Sequence, residues 1–191
     1  MPKGMDYPQY IDDAGDEYPY VFVCQINLAE LKAFCGDTPN PLPPTGLLLF
    51  FAKIDHYLGQ FADTDCIGGA ISAPDAVKVI YVNDCSGLRE VVLVDENDSP
   101  MSPDALEVSF TREHDPMAED DHALFASPDH REWESWDHPY ENWQILLQID
   151  SFSGMDFNLN FMDFGVLDFL ISPEALHNAD FSDVRAIVLS T

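Results

Sequence analysis

Four histidines, His114, His122, His130 and His138, recur every eight residues, and each follows an acid: Glu113, Asp121, Asp129 and Asp137. Carboxylate–imidazole pairs are what metal centres and general acid–base sites employ. The spacing argues against a shared site. Eight residues of helix advance the azimuth by about 80°, so successive rungs leave one face. On a strand they would share a face, but Pro116, Pro128 and Pro139 interrupt one. The ladder therefore reads as part of a solvated acidic loop, and no metal is expected.

Other residues suit binding better than catalysis. Gln25 and Gln148 occupy equivalent places in apolar segments, Gln25-Ile26-Asn27 and Gln148-Ile149-Asp150. A buried amide must find hydrogen-bond partners, so the two form either a polar latch or the lining of a shared cleft. Asp168, between Leu167 and Phe169, and the nearby Asp163 are the most isolated carboxylates. Trp133, Trp136, Tyr140 and Trp143 form the densest aromatic group and lie amid acids. Such a group either fastens a connector to a sheet or marks an interaction surface.

Composition removes several classes. The 191 residues carry 35 acidic and 8 basic side chains, a net charge of −27. That balance opposes binding to nucleic acid phosphates and to anionic membranes, and it favours a basic protein partner. No nucleophile elbow, phosphate-binding loop or dinucleotide fingerprint is present, so neither catalytic residues nor a cofactor are assigned. Cys24, Cys35, Cys66 and Cys85 lack zinc spacing. The first residues lack the apolar stretch of a signal peptide, and no apolar run reaches membrane-spanning length. A cytoplasmic protein with reduced thiols is expected.

The elements that must position these residues are written twice. Val21–Asn27, Gly46–Phe51 and Val77–Val82 are answered by Ile145–Asp150, Gly165–Leu170 and Val184–Leu189. Each set holds a Gln-Ile-(Asn/Asp) strand, a Gly-initiated apolar strand, and a third strand with a basic second residue. Asn27 and Glu30 form a capping box that predicts a helix through about Phe34. Ser172-Pro173 opens another helix, and Ser127-Pro128-Asp129 a third. Arg89–Val94, Leu106–Phe110 and Phe157–Phe161 read as further strands, with a turn over Asp95–Pro100.

The fold expected is α+β, strand-rich and mostly antiparallel, with an internal duplication of a three-strand unit and a few short helices. Residues 1–20 read as a loose lead-in. Residues 21–191 read as one pseudo-symmetric domain: a first half at 21–110, an acidic connector at 111–141 with ten acids, and a second half at 142–191.

Phe22–Leu28, Pro43–Phe51, Leu146–Asp150 and the strand from Gly165 to Ile171 together resemble the ordered blocks of the YwqG-like bacterial proteins. The resemblance runs from about residue 18 to the end. It implies a cytoplasmic protein without assigned catalytic residues and, through relatives placed near toxin genes, an immunity-like or interaction role. Two functions are thus in view. One is a non-enzymatic domain engaging a basic partner; the other is a small-molecule or metal site, with room for an enzymatic activity, in the cleft between the repeats, drawing on Gln25, Gln148, Asp163, Asp168 or the histidine ladder.

Overall fold

The computed structural model describes residues 1–54, 70–101, 105–112, 122–127, 139–154, 157–161 and 165–189. In chain order the elements are β1 (Gln9–Ile11), β2 (Glu17–Pro19), β3 (Val21–Asn27), α1 (Leu28–Cys35), β4 (Leu47–Ala52), β5 (Val77–Val82), β6 (Ala123–Leu124), β7 (Gln144–Asp150), β8 (Phe152–Gly154), β9 (Phe157–Leu159), β10 (Val166–Ile171), α2 (Pro173–His177) and β11 (Arg185–Leu189). The fold is strand-rich α+β, and every strand pairing among the described residues is antiparallel. The two helices are short.

Two sheets carry the structure, one ordered β3-β4-β5 and the other β11-β10-β7-β6. Their facing sides build the main core, which joins Ile26, Leu48 and Phe50 to Leu147, Leu167 and Phe169. Phe50 and Phe169 meet edge to face at 5.3 Å and 82°, the arrangement that aromatic quadrupoles prefer. Both central strands are covered on their outer sides as well. Double coverage is why β4 reads as a continuous apolar run rather than an alternating one, and β10 as a run broken only at Asp168.

The two three-stranded units share one register. Gln25↔Leu49 and Leu49↔Ile80 in the first match Gln148↔Asp168 and Asp168↔Ile187 in the second. Each unit also carries one extra residue at the same point. Val23 is skipped in the pairing of β3 with β4, and Leu146 in that of β7 with β10. Such bulges increase the local twist. A glycine precedes each central strand. Leu28 N–H donates to the Gly46 carbonyl (3.0 Å), and Ser151 N–H to the Gly165 carbonyl (3.1 Å). Gly46 has φ +99°, and a Cβ there would stand 2.5 Å from the Val82 carbonyl oxygen; at Gly165 a Cβ would collide with the Leu189 carbonyl oxygen.

Local signals act as the sequence implies. Asn27 Oδ1 accepts from the backbone of Ala29 (3.1 Å) and Glu30 (3.4 Å), and its Nδ2 donates to Glu30 Oε1 (2.7 Å). Ser172 Oγ accepts from Ala175 N–H with Pro173 at the helix start. The helix expected from Ser127 onward lies outside the described residues. Cys24, Cys35 and Cys85 are free thiols, and Cys66 lies outside the described residues.

Two expectations need correction. Residues 1–20 are not a loose lead-in: β1 and β2 pair, and Tyr20, only 1% exposed, seals the outer face of the first sheet with Leu49, Phe51 and Val82. Aromatic content is the cause. Tyr7 donates to the Tyr20 carbonyl (2.8 Å) and Tyr20 to the Asp75 carbonyl (2.6 Å), while Lys53 and Lys78 stand over the Tyr10 and Tyr20 rings. Second, Arg89–Val94 and Leu106–Phe110 form no strand and join no sheet among the described residues; an isolated bridge, Val94↔Pro100, closes the turn over Asp95–Ser99.

Burial pushes the Tyr7 hydroxyl up to about 12, against the lowering effect of its backbone hydrogen bond at Phe22. It pushes Tyr20 to about 12 also, with the Asp75 charge and Tyr10 adding to it. Both folded values lie above the ordinary 10.0, so the fold favours the neutral hydroxyls. Their contribution is complete below pH 10 and declines as pH rises toward 12. Denaturant midpoints should fall across that window, and ultraviolet titration should show two late-ionising tyrosines. Gly46→Ala should cost at least about 1–3 kcal/mol in urea unfolding through backbone strain alone.

Candidate functional site

The largest buried polar grouping among the described residues lies on the outer face of the second sheet. Gln148 on β7 and Asp168 on β10 are direct cross-strand neighbours, with Ile187 of β11 beyond Asp168. They are 5% and 1% exposed. Around them stand Ile145, Leu170, Ile187 and Leu189, and Tyr140 and Trp143 pack over this apolar group. The two rings meet edge to face at 5.0 Å, and Trp143 N–H donates to the Tyr140 carbonyl (2.8 Å). Trp143 thus closes the face of the sheet.

A carboxyl group so enclosed is held by its surroundings, because an ionised group in an apolar medium demands compensation. Sealed beneath the sheet cover, Asp168 meets no solvent in this arrangement. Its chemistry is that of a buried hydrogen-bonding group set beside a buried amide.

The other expected site residues are dispersed. Gln25 is exposed, opposite Leu49 on the outer face of the first sheet. The main core therefore separates it from Gln148, and the two amides form neither a latch with each other nor a shared cleft. Their equivalent registers are the reason: each unit turns the same side of its first strand outward, and the outward sides of two facing sheets point apart. Asp163, Trp133 and Trp136 lie outside the described residues, as do His114, His130 and His138. His122 is described, and its Nδ1 accepts the Asp150 backbone N–H at 3.0 Å. That bond leaves Nε2 to carry the proton of the neutral ring and ties β6 to the end of β7. Among the described residues no group of three or more histidine, cysteine or acidic side chains could hold a metal ion.

Two features escaped sequence reasoning. Ser72, 3% exposed, crosses from the first unit to bond β11: its N–H donates to the Ala186 carbonyl (2.9 Å), and its Oγ accepts from Ala186 N–H (2.8 Å). A cavity of about 290 Å³ lies between β5 and residues 181–184. Neither has a local motif, since each exists only where distant segments meet.

Cross-strand contact between Gln148 and Asp168 should appear as energetic coupling. A double-mutant cycle of Gln148→Leu and Asp168→Leu, read by urea unfolding, should give an interaction of at least about 0.5 kcal/mol. Gln25→Leu combined with Gln148→Leu should be additive within about 0.5 kcal/mol, because the core lies between them.

No helix among the described residues is long and apolar enough to cross a membrane. Among curated proteins, none matches the chain. A family model described as a domain of unknown function, DUF1963, matches residues 1–188, which takes in both sheets and the N-terminal hairpin. The chain belongs to the DUF1963 family.

Proposed function

We propose that this chain is a non-enzymatic interaction domain of the bacterial cytoplasm, YwqG-like and built by internal duplication, that engages a basic protein partner in an immunity-like role. The observation that carries the reading is a pair of exposed stretches, 88–101 and 105–109, tethered at Arg89 and at Arg112. Arg89 exchanges backbone hydrogen bonds with Met1 and donates from its side chain to the Met5 carbonyl (3.1 Å). Arg112 Nη2 donates to the Phe34 and Cys35 carbonyls at the end of α1, at 2.9 and 3.0 Å. Such a cation suits the negative end of a helix.

Between or beside these anchors, Leu88, Val92, Val94, Leu106 and Val108 are exposed, five of the nine large hydrophobic side chains so placed among the described residues. Glu90, Glu96, Asp98 and Glu107 are exposed among them. Apolar groups rimmed by charge are what a protein interface presents, and this rim selects a basic partner.

The rest of the charge supports the same choice. Six of the eight basic residues have internal uses. Lys32 bonds the Gly36 carbonyl, Lys53 pairs with Asp75, and Arg185 pairs with Asp183; Lys78, Arg89 and Arg112 act as described above. Few cations are left to relieve the negative surface field, which steers a basic partner and screens with salt.

The test is affinity capture at low salt with three folded proteins: the natural chain, one with Val92, Val94, Leu106 and Val108 changed to Ser, and one with Glu90, Glu96 and Glu107 changed to Gln. A basic protein held by the natural chain, lost with salt and weakened in both variants, is expected. Recovery of no basic protein, or equal retention by all three, would sink the reading.

A further inference from the structure

Ser72 shows how the edge of one sheet accepts an added segment. It belongs to the link between β4 and β5, yet it caps the free edge of β11 at Ala186, its N–H donating to the Ala186 carbonyl and its side-chain Oγ accepting the Ala186 N–H. Ile71 beside it packs on the apolar group of Ile145, Leu170, Ile187 and Leu189.

Position for position, Val79 on β5 answers to Ala186 on β11, since Phe50↔Val79 matches Phe169↔Ala186. Backbone groups alternate in direction along an antiparallel pair. Those of Ala186 point off the sheet, toward Ser72, so those of Val79 point off the sheet as well. The carbonyls of Val82 and Leu189, of opposite parity, lie against Gly46 and Gly165 in agreement with this phase. Among the described residues no segment bonds the outward groups of Val79.

The 290 Å³ cavity opens at this point. Val77, Val79 and Pro74 line it from one side, and Phe181, Ser182 and Val184 from the other. Its walls are mainly apolar, with Lys78 and Ile80 also lining it beside Val79. The volume falls near the lower end for ligand sites, which suits a few residues of extended chain rather than a large cofactor.

We propose that this cavity binds an extended peptide segment of a partner protein, which adds to β5 at Val79 as Ser72 adds to β11 at Ala186. The segment places a serine or threonine opposite Val79, donates that residue's backbone N–H to the Val79 carbonyl, accepts the Val79 N–H with its hydroxyl oxygen, and rests an apolar neighbour against the sheet. This is a variant of strand addition, in which bonds to the main chain of the sheet edge give affinity while the hydroxyl and the flanking walls give selectivity. The net charge of −27 selects neutral or basic segments over acidic ones. The site stands apart from the exposed segment at 88–108 and does not rest on its role.

The probe is the capped peptide acetyl-Ala-Ile-Ser-Ala-Pro-amide, which copies residues 70–74, titrated into the full ¹⁵N-labelled chain. Expected are a saturable shift centred on the Val79 amide and slower hydrogen exchange there. N-methylation of the serine amide in the peptide should weaken binding about tenfold, the loss of one well-placed hydrogen bond. N-methylation of the following alanine, whose N–H faces away, should leave affinity within about twofold, since no bond to β5 is removed. The chain with serines at 92, 94, 106 and 108 should bind the peptide unchanged, so failure here is separable from failure of the interaction reading. Absence of a saturable shift, a shift centred on Ala186 through displacement of Ser72, or equal affinity of both methylated peptides would overturn the proposal.

Discussion

The packing of β4 against β10 is the constraint on which the rest depends. Phe50 and Phe169, both fully buried, touch at the centre of the contact. A strand in the middle of a sheet, covered on both faces, must be apolar at every position it can be, and it needs neighbours on each side to satisfy its backbone. Hence each central strand carries two flanking strands, and each is entered through a glycine where a neighbouring carbonyl leaves no room for a Cβ. The matching bulges at Val23 and Leu146 serve the same end, since twist lets two sheets pack with their side chains interleaved.

Once the facing sides are joined, the outer sides become the problem, and the two sheets solve it differently. The first is covered by the tyrosine-rich hairpin, whose hydroxyls reach backbone carbonyls while their rings lie on apolar neighbours. The second is covered by Tyr140, Trp143, Ile71 and Ala126. The buried amide and carboxyl of Gln148 and Asp168 lie within that second covering, whereas the register-equivalent positions in the first unit hold an exposed Gln25 and a buried Leu49. The same strand register thus supports a polar pair on one side and an apolar seal on the other. Divergence falls on the coverings, not on the frame.

Much of that frame was legible in the residues. The Asn27–Glu30 box, Ser172-Pro173 and the glycine turns act through bonds within a few residues, so their outcome needs no distant partner. The six strands of the paired units likewise announce themselves by apolar runs bounded by turn residues. Arg89–Val94 and Leu106–Phe110 have comparable patterns and yet join no sheet, because a strand is completed by a partner edge and none among the described residues pairs with them. Gln25 misled for a related reason. Its position within an apolar run implied burial, but the side facing away from the core is buried only where another segment happens to cover it.

The sequence by itself determined the six strands of the paired units, the helix starts at Asn27 and Ser172, and how strongly the surface is charged, since these follow from apolar runs between turn residues, capping chemistry and composition. Only the tertiary structure decided which amide is buried, that Ser72 bonds the opposite sheet, and that a cavity opens beside Val79. Those outcomes depend on which faces meet across long stretches of chain, and burial, unlike a helix cap, is a property of the partner as much as of the residue.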